Sequence, residues 1–242
     1  MSQDDPTTRR AFLCLTGVTG TGLLMASFSD SLLAAEPEKK KEKGKGEEEE
    51  VSPAEDLMRE HGVLKRALLV YGEAIRRIDA GEDLPPDPVR DTAQLIRSFV
   101  ENYHEKLEEA FLFPRFRKAK TLVELVDVLE QQHKAGRKLT DVTLQHANLK
   151  SLGAAEDKRK LRDSMAQLIR MYNPHEARED TVLFPALRKI VSGNEYDALG
   201  EEFEEKEHEL FGADGFEKIV DRVAGIERAL GIYDLARFTP KV

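Results

Sequence analysis

HEKLEEAFLFP, from His104 to Pro114, and HEAREDTVLFP, from His175 to Pro185, are two versions of one eleven-residue phrase placed 71 residues apart. In both, the His is followed by Glu at the next position and again at i+4, and a further acid stands at i+5. Both copies close on Leu-Phe-Pro. A match of this length is not expected by chance, so the chain contains an internal repeat.

The duplication extends upstream of both copies. LMREHGVLKRAL precedes the first and LEQQHKAGRKLT precedes the second, and both read Leu, three residues, His, three residues, a basic residue. Their histidines, His61 and His133, are 72 residues apart. Four of the six histidines therefore form two pairs, His61 with His104 and His133 with His175. Each pair indicates one helical hairpin, used twice.

The body of the chain has the apolar periodicity of helices and no strand pattern. We expect long helices over residues 53–79, 87–117, 121–152 and 154–191, with shorter ones over 194–211 and 214–230. Four long helices with short connections predict an all-α fold, an up-and-down four-helix bundle with extra C-terminal helices. The predicted domains are the bundle over 53–212 and a C-terminal capping helix with a tail over 213–242.

Local signals predict several helix starts and one irregularity. Asp87-Pro88 suggests a capping acid followed by Pro in the first turn. The segments 121–124 (TLVE) and 214–217 (DGFE) have the spacing of capping boxes. Pro174 lies inside the fourth helix and predicts a kink just before His175.

Residues 1–35 are similar to a twin-arginine export signal. Arg9 and Arg10 precede a moderately apolar stretch, and a small-residue site follows near Ala34-Ala35. An uncleaved membrane anchor is the alternative interpretation. The predicted location of the protein is the periplasm.

Composition and charge indicate a disordered linker and argue against several kinds of site and partner. Residues 36–52 form a charged, low-complexity linker that we expect to be disordered. Cleavage after residue 35 would remove Cys14, the only cysteine, so neither an internal disulfide nor a thiolate metal site is expected in the mature chain. The formal net charge of −9 argues against a nucleic-acid partner. No later segment has the 18 uninterrupted apolar residues of a membrane span.

The repeated histidines and glutamates predict a metal site. Residues i and i+4 share one face of a helix, so each His-x-x-x-Glu motif projects an imidazole and a carboxylate together. One such motif is ordinarily a solvated pair, but two in register, each preceded by a His 43 or 42 residues earlier, indicate convergence in the bundle interior. Mixed imidazole and carboxylate ligands suit iron, and also zinc or manganese. The candidate ligands are His61, His104, Glu108, His133, His175 and Glu179.

Neighbouring acids leave alternatives open. Glu109 and Asp180 stand at i+5, rotated about 100° from i+4, and either one can replace or supplement the preceding glutamate. Glu105 and Glu176, at i+1, are expected to point elsewhere. Neither motif has the second His of the His-Glu-x-x-His zinc proteases, so a metalloprotease is excluded.

Three further residues carry weaker signals. His146 lies near the end of a predicted helix and is expected on the surface. His208, with Glu204 four residues before it, is either a surface residue or part of an extra site. Tyr172 either faces the metals or is an ordinary core tyrosine.

The order His, His-x-x-x-Glu, His, His-x-x-x-Glu resembles that of hemerythrin-like (His-His-Glu, cation-binding) domains over residues 53–190. The resemblance implies a four-helix bundle with two iron ions, bridged by oxo or hydroxo groups, and carries over the six candidate ligands by position. Oxygen-carrying members have a further His where this chain has Arg137, and take the fourth-helix carboxylate from the position of Asp180. A more symmetric and more open centre is therefore expected.

Three functions follow as hypotheses. The first is an envelope protein that binds oxygen or a related ligand such as nitric oxide or peroxide at a di-iron centre. The second is a redox enzyme, reducing peroxide or nitric oxide or oxidising ferrous iron. The sequence has no flavin motif or thiol pair, so such an enzyme would need an external electron donor. The third is iron storage, which the histidine-rich ligand set disfavours because ferritin-like sites take carboxylates from every helix. The sequence leaves the oligomeric state open.

Overall fold

The computed structural model describes residues 51–242, which form one compact unit. The predicted signal (1–35) and residues 36–50 of the predicted linker lie outside the described residues. All regular structure within 51–242 is helical, which confirms the predicted fold class. No helix in this part of the chain combines the length and apolar character that a membrane crossing requires.

Four long helices build the bundle, and three short stretches of π-helix interrupt them. The long helices are α1 (Pro53–Ala80), α2 (residues 86–119), α3 (Val123–His146) and α4 (residues 155–190). The shorter elements are a helical turn at Leu149–Gly153, helices α5 (Gly193–Phe211) and α6 (Gly215–Leu230), and a 3-10 turn at Leu235–Phe238. The π-helical stretches are Ile96–His104 and Glu108–Leu112 in α2 and Glu179–Leu183 in α4. Such stretches are frequent at functional sites, and each of these contains or adjoins a candidate ligand.

The long helices close into a ring, in which α1 packs against α2 and α4, and α3 also packs against α2 and α4. Helix α6 lies across α1 and α2, and α5 contacts both α1 and α6. The division of the chain at 212/213 stays a prediction. Both Leu-Phe-Pro copies contribute core side chains, since Phe113 and Phe184 are buried. Burying a phenylalanine contributes about 1.5–3 kcal/mol, so each repeat anchors its own helix end.

Helix α1 begins and ends by recognisable signals. The Ser52 side chain accepts a hydrogen bond from the Glu55 amide at 3.3 Å, and Pro53 occupies the first helical position. Gly81 ends the helix at φ 67°, where its amide reaches the carbonyls of Arg77 and Ile78. Glycine tolerates this left-handed conformation without a steric penalty.

The predicted helix starts at 121–124, 214–217 and Asp87 were wrong in detail. Leu122 and Asp214 precede α3 and α6 in left-handed conformations, with φ values of 51° and 57°, and neither makes a side-chain cap. In α6 the amide of Phe216 instead donates to Glu207 of α5, at 3.0 Å. Helix α2 begins at Pro86, so Asp87 lies inside the first turn rather than capping it.

The third helix also differs from expectation. Helix α3 ends at His146, and the turn at Leu149–Gly153 is separate, because Asn148 caps it by accepting from the Ser151 amide at 3.0 Å. Helix α4 continues through Pro174, and the kink predicted there stays a prediction. A π-helical stretch starts further along the same helix, at Glu179.

Candidate metal centre

The structure brings all six predicted ligands together in the bundle interior. They come from all four long helices, and each is at most 4% exposed. Helix α1 supplies His61 and α3 supplies His133, one residue each. Helices α2 and α4 each supply a His and, one turn later, a Glu at the start of a π-helical stretch. Helical spacing therefore placed each pair on the inner face, and the duplication placed two such pairs opposite each other.

The six residues form two groups that share both carboxylates. One group is His61, His104, Glu108 and Glu179, and the other is His133, His175, Glu108 and Glu179. Within each group, one ligand atom per residue lies within 4.8 Å of all the others. Each glutamate thus stands between a histidine pair on one side and a histidine pair on the other.

Distances to the imidazole Nε2 atoms show how the glutamates span the two groups. Glu179 Oε2 lies 3.4 Å from His61, and Oε1 lies 3.1 Å from His175. Glu108 Oε2 lies 3.4 Å from His133 and 3.8 Å from His104. All four Nε2 atoms therefore face the two carboxylates.

The imidazoles are the only polar groups of the described residues that face the two carboxylates closely. The side-chain oxygens of Glu108 and Glu179 are fully buried, and none of them forms a hydrogen bond within the described residues. Leaving buried charge uncompensated is costly, and paired or metal-coordinating arrangements are the usual solution. Buried, inward-facing carboxylates among four imidazoles therefore fit a pair of metal ions.

Each inward-facing imidazole is held from behind by a polar side chain. The Nδ1 contacts are His61–Asp180 at 2.7 Å, His104–Glu60 at 2.8 Å, His133–Glu109 at 3.1 Å and His175–Gln132 at 2.8 Å. When the imidazole Nδ1 carries the proton and donates it in this way, Nε2 is left free as an acceptor. This is the arrangement typical of metal-binding histidines.

The i+5 acids therefore lie outside both groups. Asp180 and Glu109 orient imidazoles that belong to the other repeat. Glu109 also lies near Glu105 and His133. Arg137, however, forms ion pairs with both Glu105 and Glu109, each at 2.6 Å. The sequence interpretation missed Glu60 and Gln132, although both directly precede a candidate histidine in the repeat.

Burial and neighbouring charges shift the pKa values of the candidate ligands in different directions. Burial lowers the pKa of His61 and His133, but their carboxylate neighbours outweigh burial and raise it to about 10 in both. Burial lowers the pKa of His104 to about 4. Burial and the charge of Glu179 raise the pKa of Glu108, whereas His175 and His61 overcome burial and lower that of Glu179. In the protein without metal, protons thus supply positive charge that cations can replace.

Tyr172 is both a core residue and a neighbour of the centre. It is buried, its ring meets that of His175 edge-on with centroids 5.2 Å apart, and its hydroxyl donates to Glu105. Glu105 and Glu176 point away from both groups, as predicted, and Glu176 pairs with Lys65 at 3.2 Å.

The other two histidines lie outside both groups. His208 is exposed. The expectation that His146 is on the surface was wrong, because this side chain is only 8% exposed and its Nδ1 lies 3.4 Å from Ser151 Oγ.

Comparisons with known proteins also indicate a cation-binding domain. The family model described as Hemerythrin HHE cation binding domain matches residues 52–151. The uncharacterized proteins Rv1995 of Mycobacterium tuberculosis (strain H37Rv) and Mb2018 of Mycobacterium bovis are both 49% identical to this chain over 190 residues. The match covers 78% of this chain and 74% of each relative. No solved structure gave a significant match.

Proposed function

This chain belongs to the hemerythrin HHE cation-binding domain family, and from that premise we propose that its bundle holds two iron ions that bind oxygen or a related small molecule. The observation that carries the proposal is the sharing of Glu108 and Glu179 by two histidine pairs. Shared carboxylates are the natural bridges between two cations. His61 and His104 would hold one ion and His133 and His175 the other, with Glu108 and Glu179 available to both.

The ligand set favours iron with room for an external ligand. Four neutral imidazoles and two carboxylates carry a total charge of −2 against two divalent cations. Six protein side chains for two ions would leave coordination positions free, and imidazole with carboxylate is a set that iron accepts readily. When bound, the ions would supply the redox chemistry and the attachment point for a diatomic molecule or peroxide.

The chain contributes orientation and exclusion of water. Phe184 stacks on His61 and Phe113 stacks on His133, both with ring centroids 5.5 Å apart. These rings come from the Leu-Phe-Pro copies, and each covers a histidine of the other repeat. An apolar cover limits solvent access to a metal site and so influences its redox behaviour.

A redox enzyme is the second candidate, supported by the buried pair Tyr172 and Glu105, since the Tyr172 ring contacts His175. The hydroxyl of Tyr172 donates to Glu105, so a proton is held at that oxygen close to the centre. Burial also raises the pKa of nearby Glu101 to about 7. Reduction of peroxide or nitric oxide consumes protons, which these groups can deliver, and an external donor would supply the electrons.

Iron analysis with optical spectroscopy tests the proposal. The full chain is loaded with Fe²⁺ without oxygen, desalted, and then exposed to air. We expect about two irons per chain and new ferric charge-transfer absorption. Return of the original spectrum on removing oxygen supports reversible binding, and steady consumption of peroxide with an added reductant supports the enzyme. A chain that retains no iron would refute both.

The N-terminal segment supports a proposal about location. We propose that residues 1–35 export the folded protein to the periplasm through the twin-arginine route, after iron has been inserted in the cytoplasm. The ligands come from four helices, so metal binding and folding are coupled. Changing Arg9 and Arg10 to Lys should leave an iron-containing, uncleaved protein in the cytoplasm. Normal export of that variant would contradict the proposal.

A further inference from the structure

The two repeats differ at one position that touches the centre. Glu60 and Gln132 each directly precede a histidine of the site, 72 residues apart. Each lies behind the histidine of the following helix, with an oxygen 2.8 Å from the Nδ1 of His104 or of His175. The distance is the same in both repeats, although Glu60 is buried and Gln132 is half-buried. The charge is not, because Glu60 is a carboxylate and Gln132 is a neutral amide.

This difference changes how strongly an imidazole donates to a cation. A histidine that gives its Nδ1 proton to a carboxylate is a more basic ligand, and the carboxylate also attracts the cation directly. An amide oxygen fixes the same tautomer without adding charge. The carboxylate behind His104 therefore favours a cation at that position more than the amide behind His175 does at the equivalent one.

The surroundings of Glu109 act in the same direction. Glu109, behind His133, is also bound by Arg137 at 2.6 Å and by Lys106 at 2.5 Å, so two cations offset its charge.

Two further ion pairs contribute no charge difference between the two histidine pairs. Lys65 binds Glu176 at 3.2 Å and Arg137 binds Glu105 at 2.6 Å, at equivalent places in the repeats. The charge difference between the two histidine pairs therefore comes from Glu60, Gln132 and the cations on Glu109.

We infer that the two metal positions are inequivalent, and that the one between His61 and His104 fills first while the one between His133 and His175 holds its ion more weakly. The inference rests on the proposed two-metal function and adds an order of loading to it. Outer hydrogen-bond partners of metal ligands typically change affinity by about 10- to 100-fold. A separation of that size leaves a one-metal form at one equivalent of metal, with the second ion exchangeable.

Titration of the metal-free full chain with Co²⁺ tests the order. We expect two resolved binding steps separated by about 10- to 100-fold. Crystals prepared with one equivalent of Co²⁺ should show the anomalous signal between His61 and His104. A single step of two ions, or equal occupancy at one equivalent, would overturn the inference while leaving the two-metal function intact. Absence of any Co²⁺ or iron binding would refute the function as well.

Two variants and a matched control identify the cause. Gln132→Glu should tighten the second step until the two steps merge. Gln131→Glu adds the same charge one residue away on the exposed surface and should leave both steps unchanged. Glu60→Gln should weaken the first step, which provides a second measurement if Gln132→Glu folds poorly. Unchanged binding steps in Glu60→Gln, or equal changes in Gln132→Glu and Gln131→Glu, would contradict the assignment.

Discussion

Asp180 of the second repeat holds His61 of the first, with 2.7 Å between Oδ1 and Nδ1. Glu109 of the first repeat holds His133 of the second in the same way, at 3.1 Å. Each repeat thus orients an imidazole of the other, so one hairpin alone cannot form either half of the centre. The duplication generates an interlocked site rather than two independent ones.

Removing an inward-facing histidine should remove metal. In His61→Ala or His133→Ala, one histidine pair loses a ligand, so we expect iron content to fall from about two per chain to one or fewer. His208→Ala is the control, because His208 is exposed and lies outside both groups. Iron is measured after desalting. Equal loss in His208→Ala and His61→Ala would contradict the ligand assignment.

The shared glutamates should matter more than the acids that follow them. Glu108→Ala and Glu179→Ala each remove a charged ligand from both groups, so we expect loss of both ions. The double variant Glu109→Gln plus Asp180→Asn keeps both groups and should still bind two ions, with affinity lowered by about 10- to 100-fold. If the double variant loses iron and Glu108→Ala retains it, the i+5 acids are the ligands instead.

Metal-free protein should lose stability in alkali. The pKa of His61 and of His133 is raised to about 10, above the ordinary value of about 6.5. Histidines whose pKa is raised by folding stabilise the folded state fully below pH about 6.5. That contribution to stability is lost as the pH rises through about 10. We therefore expect the Tm of the metal-free protein to fall between pH about 7 and 10, and that of the iron-loaded protein to fall less. Parallel curves would show that the ion does not replace these protons.

Gly136 should be intolerant of a side chain. A Cβ at this position would lie 2.5 Å from the Tyr172 hydroxyl oxygen, which Glu105 holds in place. We expect Gly136→Ala to destabilise the protein by about 1–3 kcal/mol in urea unfolding, the usual cost of overpacking. Tyr172→Phe removes the clashing oxygen, so the double variant should recover part of the loss. Strict additivity of the two substitutions would argue against this contact.

The Tyr172 hydroxyl should affect turnover if the protein is an enzyme. Tyr172→Phe keeps the ring against His175 and removes the proton held at Glu105. Iron content and spectrum should be unchanged, while peroxide or nitric oxide consumption should slow and change its pH profile. Unchanged turnover would leave Tyr172 a packing residue.

The sequence by itself determined the fold class and which residues lie on the inner face. Apolar periodicity sets the buried side of a helix locally, and i, i+4 spacing aligns His104 with Glu108 before any tertiary contact forms. The duplication indicates that two such faces meet, so the sequence alone points to all six candidate ligands. The caps at 121–124 and 214–217 failed because backbone conformation, rather than residue type, decides whether a side chain can reach the first amides.

Only the tertiary structure decided which carboxylate faces which imidazole. Glu109 and Asp180 had the right chemistry to be ligands, but the way the helices pack places them behind the histidines of the opposite repeat. The pairing of Glu60 with His104 and of Gln132 with His175 likewise joins residues more than 40 positions apart. Periodicity along one helix fixes a direction in space, whereas a contact between two helices depends on their relative rotation and register, which packing of the whole core sets.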